Sequence, residues 1–78
     1  MNMGNINQID DNGNKVGYWE QYYPNGKLFY KGNYVDGKGV GYWEWYYSNG
    51  KLSSKGNYDE NGKQVGCWEY YRNVIHEK

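Results

Sequence analysis

The sequence has no alanine, and only one proline and one cysteine among its 78 residues. Alanine is the best helix former, whereas the abundant tyrosines and tryptophans favour strands, so we expect strand in place of helix. Cys67 has no second cysteine with which to form an internal disulfide. The chain also lacks an excess of either charge, since nine basic residues balance nine acidic ones. This balance argues against direct binding of nucleic acid, which needs a basic face, and against an acidic mimic of DNA.

Long apolar segments are missing as well. Residues 1–6 contain neither a basic segment nor the apolar stretch of a signal peptide, and no run approaches the length of a membrane span. A single free cysteine suits a reducing compartment. We therefore expect the protein to be cytoplasmic.

Aliphatic side chains are scarce, because Leu, Ile, Val and Phe together number only 11. The chain carries 11 tyrosines and four tryptophans instead, so any core must be built from aromatic rings. Twelve glycines and eleven asparagines indicate many tight turns. A small domain without a disulfide must gain stability from well-formed hairpins, from a partner or from self-association.

Internal repetition is the strongest signal in the sequence. The segment Gly17–Glu20 returns at Gly41–Glu44 and again, with Cys67 in second place, at Gly66–Glu69, at spacings of 24 and 25 residues. A Tyr-Tyr-x-Asn-Gly-Lys-Leu segment at 22–28 likewise returns at 46–52. We interpret residues 1–78 as a single domain divided into full repeats at 17–40 and 41–65, partial units at 5–16 and 66–73, and a tail at 74–78.

Each full repeat holds two turn signals and therefore two strands. Asn25-Gly26, Asn49-Gly50 and Asp36-Gly37 suit two-residue type I′ loops, and 60–62 suits a three-residue loop with a left-handed glycine. The prediction is an all-β protein whose six antiparallel strands lie near 5–10, 15–23, 27–35, 38–47, 51–59 and 63–72.

The predicted loops fix the residues that face each other on neighbouring strands. Glu20 faces Lys31 and Trp19 faces Gly32, and the next repeat gives the same pairs, Glu44 with Lys55 and Trp43 with Gly56. We expect ion pairs and a tryptophan lying over a cross-strand glycine. The other two loops place Tyr30 opposite Trp43, Gly32 opposite Gly41 and Gly56 opposite Gly66. Glu69 has no lysine on a following strand, and we predict that it can meet an external cation.

Alternation along the strands assigns each side chain to one of two faces. The face that we call the aromatic face is rich in rings and nearly uncharged: Trp19, Tyr23, Leu28, Tyr30, Tyr34, Trp43, Trp45, Tyr47, Leu52, Tyr58, Trp68 and Tyr70. The face that we call the charged face mixes rings with ion pairs: Val16, Tyr18, Glu20, Tyr22, Phe29, Lys31, Val40, Tyr42, Glu44, Tyr46, Lys55 and Tyr71.

The repeated core at 17–28 and 41–52 resembles the bacterial variant of the MORN repeat, whose pattern is Gly-x-Trp-x-x-Tyr-Tyr-x-Asn-Gly-Lys-Leu. The unit at 66–73 follows this pattern until Val74 replaces the glycine. The resemblance implies a meander of hairpins forming one elongated, twisted antiparallel sheet, without enzymatic activity. It also implies binding of proteins or phospholipids, and proteins with this variant are often described as antitoxin-like.

A single-layer sheet cannot bury both faces, so part of the aromatic face is predicted to bind a protein partner. Trp45 is the best individual candidate because its repeat equivalents are Gln21 and Tyr70, so the repeat itself requires no tryptophan there. Tyr30 and Phe29 follow by the same argument, since their equivalents are serines. The complete set of predicted partner-binding residues is Trp45, Tyr30, Phe29, Tyr23, Tyr47, Tyr70 and Glu69.

No catalytic, metal or cofactor site is expected. Cys67 and His76 lack the orienting group that a cysteine nucleophile needs, metal ligands do not cluster, and no phosphate-binding loop occurs. The row of Glu20, Glu44 and Glu69 is interpreted as ion-pair partners. The predicted function is a non-enzymatic, inhibitor- or antitoxin-like module that occludes a toxin, nuclease or other defence enzyme through the aromatic face or an edge strand. The alternatives are a phospholipid-binding module, a carbohydrate- or choline-binding repeat, and a structural repeat that self-assembles into a homodimer.

Overall fold

The fold of this chain is an open antiparallel meander, seen in a computed structural model that describes residues 6–73. Its six strands are hydrogen-bonded in chain order within one sheet. They are β1 (Gln8–Ile9), β2 (Lys15–Tyr22), β3 (Leu28–Val35), β4 (Lys38–Tyr46), β5 (Leu52–Tyr58) and β6 (Gln64–Tyr70). The predicted all-β meander is confirmed, and its extents of 51 × 33 × 20 Å make it elongated. The described residues include no helix long and apolar enough to cross a membrane.

The hairpin loops are of two kinds, and the sequence predicted only part of them. Asp36 and Gly37 have φ angles of 51° and 82°, which confirms the type I′ turn. The loop at 60–62 has three residues and a left-handed Gly62, also as predicted. The prediction of two-residue loops at 25–26 and 49–50 is wrong. Each is a three-residue loop, closed in the first case by Tyr23 N–H donating to the carbonyl of Lys27 over 2.8 Å.

The predicted pairs across these loops are nevertheless confirmed. Trp19 faces Gly32, and the equivalent pair in the next repeat is Trp43 with Gly56. The extra loop residue is compensated by a β-bulge at Gln21/Tyr22, and the same bulge occurs one repeat later. The register beyond the bulge is therefore the one that a two-residue loop would have produced.

The register between the repeats is shifted from the prediction. Tyr30 faces Trp45 and not Trp43. Asn33 faces Val40 and Lys31 faces Glu44, so β4 has two more residues than β3 between these two pairs. Gly41 lies within this bulge at a φ of 73°. An equivalent bulge around Gly66 shifts β6 against β5, so the predicted facing of Gly32 with Gly41 and of Gly56 with Gly66 is also wrong. The shift is two residues, so the assignment of faces survives it.

The core lies on the aromatic face and consists of rings. Trp19, Tyr30 and Trp43 are the buried apolar side chains among the described residues, and Trp43 retains only 2% of its accessible surface. The prediction of an aromatic core is thus confirmed. Phe29 is a correction, because its ring contacts Tyr23 at 4.7 Å and Trp45 at 5.8 Å between centroids. It lies in the bulge without a facing residue on β2, which turns it from the charged face to the aromatic face.

Candidate binding surface

The aromatic face is organised by a ladder of alternating tryptophans and tyrosines that crosses the sheet. Consecutive rings meet edge to face, with centroid distances between 5.0 and 6.0 Å. The ladder runs Trp19, Tyr34, Trp43, Tyr58, Trp68. Each tyrosine stands between two tryptophans of successive repeats, so this ladder joins the repeats through their side chains.

Each tryptophan of the ladder is anchored on the strand that precedes it in the chain. The indole N–H of Trp19 donates to the carbonyl of Gln8, and that of Trp68 donates to Asn57 over 2.9 Å. The Trp43 indole covers Gly32 so closely that a Cβ built on this glycine would lie 2.2 Å from the ring. The predicted contact of tryptophan with glycine therefore forms, but Trp43 covers the glycine of the preceding strand and not its facing residue Gly56.

The uncovered part of the aromatic face is a shallow depression beside Trp43. Its volume is about 230 Å³, and Trp45 and Tyr58 form two of its walls. The backbone of the turn glycine Gly62 closes one side. Tyr70 extends this surface at the far edge of the sheet, where its ring stacks on Trp68 and remains 67% exposed. The depression and Tyr70 together are called the open ring surface.

The structure divides the predicted partner-binding residues into accessible and structural ones. Trp45 is half-buried and stacks on Trp43 at 5.6 Å, with one side in the depression. Tyr70 is the most exposed aromatic side chain of the set. Tyr30 is 7% exposed, and its ring lies 4.8 Å from the Trp45 ring, so it holds this ring in place. Phe29 supports it from the side.

Tyr23 and Tyr47 make equivalent contacts between repeats. The Tyr23 hydroxyl donates to the carbonyl of Tyr46 over 2.7 Å, and the Tyr47 hydroxyl donates to the carbonyl of Tyr71. Asn25 makes a similar connection two residues further along the chain, because its side chain donates to the carbonyl of Ser48. The hydroxyl groups of these two predicted partner-binding tyrosines therefore hold neighbouring repeats together.

The charged face contains a repeated triplet that the sequence analysis missed. The carboxylate of Glu44 accepts hydrogen bonds from the hydroxyls of Tyr42 and Tyr46, the residues two before and two after it. Glu20 is held in the same way by Tyr18 and Tyr22. The spacing Tyr-x-Glu-x-Tyr places all three side chains on one face of a strand, so this pattern could have revealed the triplet.

The lysines of the charged face link the triplets of successive repeats. Lys31 Nζ lies 3.3 Å from a Glu44 oxygen, and Lys55 Nζ lies 3.7 Å from a Glu69 oxygen. The predicted facing of Glu20 with Lys31 is confirmed, but the ammonium group reaches the glutamate on the strand that follows. Glu69 is thus paired with Lys55, so the prediction of an acid with no lysine of its own chain is wrong, although its side chain stays 57% exposed. That pair could not be predicted from the sequence, because it depends on the shifted register between the repeats.

The triplets shift the pKa values of their members in opposite directions. Burial and the hydrogen bond to Glu20 raise the pKa of Tyr18 to about 12. The bond to Glu44 and partial burial raise the pKa of Tyr42 to about 12 as well. Burial acts to raise the pKa of Glu44, but the hydrogen bonds from its two tyrosines and from Lys31 outweigh it and lower the pKa overall.

These shifts predict a loss of stability at both ends of the pH scale. The native state holds the triplet tyrosine protons more tightly, so the free energy of unfolding should be constant up to pH 10 and fall from there to about pH 12. The carboxylate pKa values are lowered from 4.5, so stability should also fall as the pH drops below 4.5. Urea unfolding across this range, with phenolate absorbance in parallel, measures both effects. Coincident phenolate titrations of the native and unfolded chain would contradict the prediction, and Glu44→Gln should move the Tyr42 and Tyr46 titrations more than that of Tyr18, which Glu44 affects only through its charge.

The described residues hold no group of three or more histidine, cysteine or carboxylate side chains able to bind a metal ion. Cys67 is a free and exposed thiol on β6. His76, the other residue weighed as a nucleophile's partner, lies outside the described residues, as does the tail at 74–78.

Comparison with known protein families gives one match. The family described as the MORN repeat variant matches residues 15–36 and 40–60, which together span more than half of the chain. Comparison with curated proteins and with solved structures gives no match. The first matched segment begins at the start of β2 and the second begins within β4, and each contains one hairpin of the sheet.

Proposed function

Because the chain belongs to the MORN repeat variant family, whose repeats indicate a binding module, we propose that it binds a protein partner through the open ring surface. The proposed role involves no enzymatic activity. The chain would act by covering the working surface of the partner, in an inhibitor- or antitoxin-like role, and in the cytoplasm. A toxin, a nuclease or another defence enzyme is the kind of partner that such occlusion would control.

The observation that carries this proposal is a single-layer sheet whose aromatic face is only partly covered by its own rings. Trp45 stacks on the buried Trp43 and keeps one side in the depression, and Tyr70 stacks on Trp68 at the edge of the sheet and is 67% exposed. Tyrosine and tryptophan are the residues in which binding energy concentrates at protein interfaces. A surface of this kind on a small protein favours an interaction site.

The open ring surface is also preorganised for binding. Trp45 is fixed by stacking on Trp43 and by contacts with Tyr30 and Phe29. Rings held in this way lose little conformational entropy when a partner covers them. The wall formed by Gly62 has no side chain, which leaves room for a protruding side chain of the partner beside Tyr58.

The proposal predicts that single ring deletions weaken partner binding while the fold persists. We expect Trp45→Ala and Tyr70→Ala each to weaken binding by about tenfold or more, as for hot-spot residues. The measurement is quantitative recovery of one partner from lysate of the source cells with equal amounts of each immobilised variant. Tyr22→Ala is the matched control, because Tyr22 is half exposed on the charged face. Equal recovery by the parent, Trp45→Ala and Tyr70→Ala would overturn the proposal.

Light scattering behind size exclusion separates this proposal from self-assembly. A monomer across micromolar dilution leaves the open ring surface free for a partner. A stable dimer that Trp45→Ala dissociates would show that the surface is used on itself. Liposome binding that weakens with added salt would favour the phospholipid alternative. Quenching of tryptophan fluorescence by millimolar sugar or choline would favour the carbohydrate or choline alternative.

A further inference from the structure

Strand β6 is an edge of the sheet with a hydrogen-bonded neighbour on one side only, within residues 6–73. The opposite edge, β1, has two residues, and such a short strand offers few free backbone groups. The seven residues of β6 include neither proline nor lysine, which natural edges use to prevent pairing. The β6 edge is therefore open to a further strand.

The repeat shows what kind of strand β6 accepts. β2, β4 and the β6 segment share the pattern Gly-x-Trp-Glu-x-Tyr, read from Gly17, Gly41 and Gly66. The strands that follow β2 and β4 share Leu-x-x-Lys-Gly-Asn-Tyr, read from Leu28 and Leu52. Both internal pairs therefore join the same two patterns, and β6 presents the first pattern without the second.

Three pairs of facing residues define this pairing in both internal repeats. In the second, the glycine Gly41 faces Tyr58, the tryptophan Trp43 faces Gly56, and the glutamate Glu44 faces Lys55. The first repeat has the same three pairs at the same spacings. The left-handed glycine of β4 does not prevent the pairing, so its equivalent Gly66, also at a φ of 73°, does not prevent it on β6.

The side chains of β6 at the equivalent positions are more exposed than those of β4. Trp43 is 2% exposed between two neighbouring strands, whereas its equivalent Trp68 is only half-buried. The Glu44 side chain is 18% exposed and that of Glu69 is 57% exposed. Trp68 meets a ladder tyrosine on one side only, at Tyr58. An added strand would supply the second tyrosine and bring a lysine beside Glu69.

The chain's own sequence does not encode this strand in the manner of the earlier hairpins. Gly26 and Gly50 allow those returns at φ angles of 90° and 93°, and the sequence places Val74 at the equivalent position. A β-branched residue strongly disfavours a positive φ. At the positions equivalent to Lys27 and Leu28 the sequence has Ile75 and His76.

We propose that β6 binds an extended segment of a partner protein by strand addition, and that this segment carries the sequence Lys-Gly-x-Tyr. Its lysine lies opposite Glu69, its glycine lies opposite Trp68, and its tyrosine lies opposite Gly66, as in the internal pairs. The tyrosine is the main side-chain determinant, because the facing-strand tyrosines Tyr34 and Tyr58 meet the rings of Trp19 and Trp43 in both internal pairs. This site uses the edge of the sheet and goes beyond the function proposed for the open ring surface.

The test uses a synthetic peptide copying residues 51–58 as the probe and the full chain as the receptor. We expect the peptide to shift the indole N–H signal of Trp68 and the backbone amide signals of β6 in NMR spectra. The same peptide with Tyr58→Ala should bind at least tenfold more weakly, because it lacks the ring that would meet Trp68. The charge-reversed protein Glu69→Lys should lose binding of the parent peptide and regain it with the Lys55→Glu peptide. Trp45→Ala should bind like the parent, which separates this site from the open ring surface.

A tethered probe removes the dependence on the affinity of a short peptide. Joined to Lys78 through a flexible linker, the 51–58 segment has an effective concentration of about 1 mM. We expect it to slow hydrogen exchange of the β6 amides relative to a tether of scrambled sequence. Equal exchange with both tethers, or equal binding of the parent and Tyr58→Ala peptides, would overturn the proposal. A second copy of the chain that occupies β6 and resists the peptide would also overturn it.

Discussion

Replacing Trp43 by alanine is expected to lower the free energy of unfolding by about 3–5 kcal/mol, the range for deletion of a buried large aromatic side chain. For a domain of this size that is a large fraction of a total stability of about 4–12 kcal/mol. Trp43 is the most buried side chain described, and its ring contacts Tyr30, Tyr34 and Tyr58. A sheet with few aliphatic residues has nothing with which to refill that volume.

Urea unfolding followed by circular dichroism measures this loss without relying on tryptophan emission. Trp68→Ala is the matched control, because it removes the same side chain from the same position of the repeat at the edge of the sheet. Its indole is half-buried and meets one ladder tyrosine, so we expect a loss well below that of Trp43→Ala. Equal losses for the two variants would show that the centre of the ladder is not the core of the fold.

Adding a single methyl group at Gly32 is expected to destabilise the chain by about 1–3 kcal/mol or more, as for overpacking of a core. The new Cβ would lie 2.2 Å from two atoms of the Trp43 ring. The backbone of Gly32 is not in the left-handed region, so the cost comes from contact with the indole and not from strain in φ. Trp43 has little freedom to move, because ladder tyrosines stand on both sides of it.

Gly56→Ala provides the comparison, since its Cβ would lie 2.3 Å from the Trp68 ring. The clash is equally close, but the Trp68 ring lies at the open edge and can tilt away. We therefore expect Gly56→Ala to cost less than Gly32→Ala, and the exposed neighbour Asn33→Ala to cost little. Unfolding curves for the three variants decide the order. A Gly56→Ala loss equal to or above that of Gly32→Ala would contradict the argument.

The sequence predicted the sheet, its order and the facing pairs within each hairpin, because these follow from alternation and from turn residues. It did not predict that Asn25 lacks a positive φ, since a three-residue loop and a bulge give the same distant pairs as a two-residue loop. The bulges also moved Phe29 to the aromatic face. The alternation of side chains in the sequence does not show where a bulge residue is inserted.

The candidate surface was predicted less completely than the fold. Trp45 was identified because its repeat equivalents differ from it, Tyr70 was included in the predicted set as a ring of the aromatic face, and the structure places both at accessible positions. The same argument selected Tyr30, which is buried, because a position that varies between repeats can also fill unequal space inside the core. The pairing of Glu69 with Lys55 depends on the register between repeats, which no single hairpin determines.

The hydrogen bonds from Tyr23 to the carbonyl of Tyr46, and from Tyr47 to that of Tyr71, bear on how such a chain lengthens during evolution. The donor is a side chain that recurs in each unit, and the acceptor is a backbone carbonyl that any residue provides. A tandem duplication of one unit would therefore create a complete new joint at once, with no second mutation needed to fit it. Changes in copy number are accordingly neutral steps for folding, and selection is left to act on the surface that each added unit displays.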